Sequence, residues 1–197
     1  MNTQFDIAFI RSKHPCYDPT RYLPEGWSGS VKGILRHRDI PAKDKLWVVL
    51  RKDLIDDKTL RLFAVACARR ALTRIPDPDP RSIFACDVAE RVANGIATRK
   101  ELALAYTYAT DAATTAYATA AAAAYTTAVA AYTADAVAYT ADAARAAADA
   151  AAYTTYTAAA AAAAGSAAYA AADYDAADAA ERQWQINHLI AMLEEVK

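Results

Sequence analysis

Residues 101–180 constrain this chain more than any other stretch, because 43 of them are Ala and nearly all the others are Tyr, Thr or Asp. No Pro interrupts the segment, and its one Gly is Gly165. Ala loses no side-chain entropy in a helix and has the highest helix propensity, so the whole stretch is predicted helical. A single helix over 99–164 would be roughly 99 Å long at a rise of about 1.5 Å per residue. That length does not suit a compact chain of 197 residues. Two or more antiparallel helices are therefore expected, with breaks near the Thr pairs at 114–115 and 126–127.

From residue 131 the pattern repeats every seven residues, as Ala131-Tyr-Thr-Ala-Asp-Ala-Val137 and then Ala138-Tyr-Thr-Ala-Asp-Ala-Ala144. Tyr125, Tyr132, Tyr139 and Tyr153 share one heptad position, and Asp135, Asp142 and Asp149 share another. A strict seven-residue period keeps one seam facing a partner helix. An Ala seam lets helices approach at the short end of the usual range of about 8–10 Å. Tyr would cover the groove with its ring and reach water or a carbonyl with its hydroxyl. The Tyr and Asp rows read first as a packed seam beside a solvated face, and second as a binding face.

Charge divides the chain in two. Residues 1–100 carry 19 Lys/Arg against 12 Asp/Glu, and residues 101–197 carry 3 against 11. The simplest account is that the basic half docks on the acidic half. Nucleic-acid binding is disfavoured, because the basic residues are scattered and the acidic half would repel phosphate. Ala supplies 54 residues, about half of the 55% hydrophobic fraction, and each buries little area. Large apolar side chains concentrate in 46–92 and 184–196, so the core is expected where those regions meet. The reading is of a single all-α domain over 1–197. It comprises a basic short-helix half (1–97) and long acidic Ala-rich helices (98–197), arranged as an antiparallel bundle.

In chain order, residues 1–27 are expected to be an irregular arm, broken by Pro15, Pro19, Pro24 and Gly26. Tyr17, Tyr22, Leu23 and Trp27 would clamp it onto the helices. Ser28 or Ser30 would cap a short helix carrying Val31, Ile34 and Leu35, with Gly33 marking close packing. Pro41 suits the first turn of the next helix. Asp56 or Asp57 caps a helix over 57–74 that is apolar nearly all round and so central. Arg61, Arg69 and Arg70 are its polar outlets. Asp79 and Pro80 open a helix over 80–94 that buries Phe84, Val88 and Val92, and Asn94-Gly95 closes it. Thr98-Arg-Lys-Glu101 is a capping box. Ser166 would cap a final helix reaching about 195. Its stripe of Trp184, Ile186, Leu189, Ile190, Leu193 and Val196 should pack on the 57–74 helix.

Reaction chemistry is not written in the chain. No nucleophile elbow, P-loop, dinucleotide fingerprint or zinc motif occurs. Asp135, Asp142 and Asp149 are spaced about 10.5 Å apart along a helix, too far for a shared metal or an acid/base pair. Cys16, Cys67 and Cys86 lack metal spacing, and Cys67 and Cys86 read as buried thiols. His188 reads as a surface or helix-packing residue. Arg36, His37, Arg38, Arg69 and Arg70 could form an anion pocket with neighbouring Tyr residues, against the simpler reading that they pair with the acidic half. No enzyme activity, cofactor or metal is expected. Neither signal peptide nor membrane span is apparent, so the expected location is cytoplasmic.

The run Asp57-Lys-Thr-Leu-Arg-Leu-Phe-Ala-Val-Ala-Cys-Ala-Arg-Arg70 resembles the Imm-5-like immunity-protein family, Ala-rich proteins of bacteria and their phages. Cys16-Tyr-Asp-Pro19, Trp27-Ser-Gly-Ser30, Ala89-Glu-Arg-Val-Ala-Asn-Gly95 with Ala97-Thr-Arg-Lys-Glu-Leu102, and Glu181-Arg-Gln-Trp-Gln185 fit in the same order. The resemblance implies a non-enzymatic immunity or anti-defence protein that binds and neutralises a toxin or a host defence effector. It supplies no catalytic residues. A sponge for a signalling nucleotide is the alternative. A structural or assembly protein, forming homo-oligomers through its Ala-rich helices, is the second alternative.

Overall fold

The computed structural model describes residues 4–73, 77–98, 100–105, 107–108 and 170–195. They are mostly helical, with one small sheet. The chain opens with β1 (Gln4–Asp6) and α1 (Ile7–Ser12), then a 3-10 helix over Pro19–Arg21 and β2 (Ser28–Ser30). α2 (Val31–Arg36), α3 (Ala42–Val49), α4 (Asp57–Leu72) and α5 (Pro80–Ala93) follow. Residues 100–105 are helical, and the C-terminal helix spans Ala170–Glu195.

Two expectations are corrected at the start of the chain. The fold is not purely α, and half of residues 4–27, where an irregular arm was expected, lie in a strand, a helix and a 3-10 turn. β1 and β2 pair antiparallel, with Gln4 opposite Ser30, Phe5 opposite Gly29 and Asp6 opposite Ser28. Phe5 points inward between two exposed neighbours. The Trp27 ring meets Phe5 edge-on at 5.5 Å and lies across Gly29, where an added Cβ would come 2.5 Å from it. Aromatic cover of a strand glycine helps hold this two-stranded ribbon together where its three residue pairs alone would not suffice. Gly33, by contrast, marks no crowding, since a Cβ there would meet only the Ser30 hydroxyl at an ordinary 3.6 Å.

Local capping chemistry places most helix ends. Asp6, Ser30, Asp56 and Asp79 each accept a backbone N–H from the first turn of α1, α2, α4 and α5. Pro80 takes the first position of α5, while Pro41 stands just before α3 as its cap residue. At the end of α5, Gly95 adopts φ +72, its N–H bonds the Val92 carbonyl and the Ile96 N–H bonds the Arg91 carbonyl. That is the paired closure a left-handed glycine permits. Thr98 and Glu101 exchange backbone N–H bonds at 2.9 and 3.2 Å, completing the capping box.

α4 is central, as its all-round apolar pattern predicts. Its residues Leu60, Phe63, Ala64, Cys67 and Ala71 join a large core with β1, α1, α2, α3 and the C-terminal helix. Its residues Val65, Ala68 and Leu72 join a second core with Ala85, Cys86, Val88 and Ala89 of α5 and with Leu102 and Ala105. Phe84 and Val92 are half-buried at the edge of that second core rather than inside it. Leu23 is buried, and Tyr22 and Trp27 pack on the first core, so these residues clamp the N-terminal region as expected. Ile186, Leu189 and Leu193 of the C-terminal helix are buried in the first core, where the helix meets α4 as expected but α2 and α3 as well, and Trp184 and Ile190 of the stripe are only half-buried. The expected helix breaks, the Tyr and Asp rows, Ser166 and Val196 lie outside the described residues.

Candidate functional site

Arg69 and Arg70 occupy the last turn of α4. Successive helical residues point about 100° apart, so the two serve different neighbours. Arg69 reaches α5, where it donates to Asp87 at 2.9 Å and also pairs with Glu90. Arg70 reaches the C-terminal helix, where its Nε donates to Glu181 Oε2 at 2.7 Å. Glu181 is 1% exposed, and this is the most buried carboxylate among the described residues. The Arg70 guanidinium also lies 4.3 Å from the centre of the Trp184 ring. Trp184 in turn stacks on His188, with centres 4.9 Å apart and planes 8° apart. These two are four residues apart, which puts them on one face of the helix.

The surroundings are dry. Cys67, one turn before Arg70, is fully buried, and Gln185 and Arg182 are buried on the C-terminal helix. Burial, reinforced by the Glu181 charge, pushes the Cys67 thiol far up, so it stays protonated and inert as a nucleophile. Burial also lowers the His188 pKa, against a smaller opposing pull from Glu195. His188 is thus the half-buried helix-packing residue its position suggested. The cluster can hold two helices in register through one buried ion pair and a cation–ring–ring contact. It offers neither an activated nucleophile nor a matched acid/base pair.

The other candidate arginines do not converge on it. Arg36 ends α2 and donates to Glu194 Oε1 at 2.6 Å, with both side chains more than half exposed. Glu194 lies thirteen residues beyond Glu181, about 20 Å along the helix. Arg38 is exposed and makes no ion pair with a described residue. Arg36, Arg69 and Arg70 thus serve separate carboxylates and surround no common pocket. Arg36 and Arg70 do join the basic half to the acidic half, as the charge division implied, whereas Arg69 pairs within the basic half. Tyr125, Tyr132, Tyr139, Tyr153, Asp135, Asp142 and Asp149 lie outside the described residues.

Sequence reasoning passed over Glu181 and Gln185. For Gln185, and for Arg182 beside Glu181, the available signal was spacing: residues 182, 185, 186, 189 and 193 follow the three- and four-residue steps of the apolar stripe, and two of them are polar. Polar residues on a buried stripe require partners in the core.

Among the described residues, no group of three His, Cys, Asp or Glu side chains is placed to hold a metal ion, and no helix is long and apolar enough to cross a membrane. Comparison with family models, curated proteins and solved structures gives no match.

Proposed function

We propose that this chain is a non-enzymatic immunity or anti-defence protein of the Imm-5-like kind, acting in the cytoplasm by binding and neutralising a toxin or defence effector. In this reading residues 101–180 form an antiparallel Ala-rich bundle whose acidic, Tyr-lined face meets a basic partner. The observation that carries it is the disposition of charge. Arg36, Arg69 and Arg70 of the basic half are already neutralised by carboxylates of the same chain. Glu101 is likewise taken by Arg91, but residues 111–180 hold seven Asp against the single Arg145, a surplus that this reading assigns to a partner. Tyr suits such a face because it covers area at low entropy cost.

The test compares affinity capture by the wild-type chain with capture by an Asp135→Lys, Asp142→Lys, Asp149→Lys variant. A host protein recovered by the first and lost with the second, together with loss of neutralisation, supports the reading. Recovery of chaperones alone, or full activity in the variant, contradicts it.

The Arg70–Trp184 contact favours one second reading, a sponge for a signalling nucleotide, since a base can stack on a ring beside a guanidinium. Glu181 already takes the Arg70 charge, which weakens that reading. Calorimetry against cyclic nucleotides and ADP-ribose derivatives decides it: no heat with any of them removes it.

A further inference from the structure

We draw no further inference here: the strongest candidate, the open cleft of about 430 Å³ beside α1 and the 3-10 helix that is lined by Arg11, His14, Cys16, Tyr17 and Asp18, rests on a lone exposed cysteine with no second observation that points to a ligand.

Discussion

Replacing Arg70 by Ala is expected to destabilise the fold far more than replacing Arg36, although each arginine pairs with one glutamate of the same helix. The Glu181 carboxylate is 1% exposed and lies 2.7 Å from Arg70 Nε. Removing the cation takes the Arg70 pairing from a carboxylate that water scarcely reaches, and breaking a buried pair by removing one partner costs about 3–5 kcal/mol. Arg70 itself is 30% exposed, so some solvent enters its place and the lower end applies, about 3 kcal/mol. Loss of the cation–ring contact with Trp184 adds about 0.5–1 kcal/mol. Arg36 and Glu194 are 58% and 51% exposed, and such pairs contribute about 0.2–1 kcal/mol. Urea denaturation followed by circular dichroism measures both. An Arg70→Met, Glu181→Leu double variant, which removes both charges, should recover much of the loss. The reasoning is refuted if Arg70→Ala loses no more than Arg36→Ala, or if the double variant is worse than the two single changes added together.

Two further outcomes follow from burial. Leu189 is fully buried, so Leu189→Ala should cost about 2–5 kcal/mol, whereas Ile96→Ala, at a site 71% exposed, should stay within about 0.5 kcal/mol; denaturant midpoints compare them. His188 has a lowered pKa, so the unfolded chain takes up a proton near its ordinary value of 6.5 before the folded chain does. Stability should therefore be full above about pH 6.5 and fall below it, and His188→Gln should flatten that part of the profile. The carboxylates with lowered pKa, such as Asp53 and Asp79, lose their contribution only near and below their ordinary 3.8, in a separate window.

What could be read in advance was local. Asp56, Asp79, Gly95 and the Thr98–Glu101 box act on backbone groups two to four residues away, so the residues that decide the helix ends are adjacent in the chain. The central role of α4 was legible for a related reason, because apolar residues around its whole circumference demand cover on every side. The β1–β2 ribbon was not legible. Each strand has three residues, one in Gln-Phe-Asp and the other in Ser-Gly-Ser, and what joins them is a Trp ring laid over a glycine. The burial of Glu181 was equally hidden. Its partner lies 111 residues earlier, and no pattern within the C-terminal helix reveals an arginine on another one. Pairing with the acidic half was the simpler reading of the arginines, and Arg36 and Arg70 follow it, whereas Arg69 finds its carboxylates 18 and 21 residues on, within the basic half.

The central claim is that the C-terminal helix closes the larger of the two cores, against α2, α3 and α4, and that the whole fold depends on that closure. An Ala side chain buries one methyl group, worth about 0.8 kcal/mol, while each fully buried Leu or Ile contributes about 1.5–3 kcal/mol. Ile186, Leu189 and Leu193 all lie in that core. Deleting residues 182–197 and following denaturation by circular dichroism tests the claim most directly. The account predicts that the truncated chain loses its cooperative transition and unfolds as a whole, although most helix-forming residues remain. A single cooperative transition at nearly the wild-type denaturant concentration would contradict it, because the Ala-rich segment and the N-terminal half would then be stable without the C-terminal stripe.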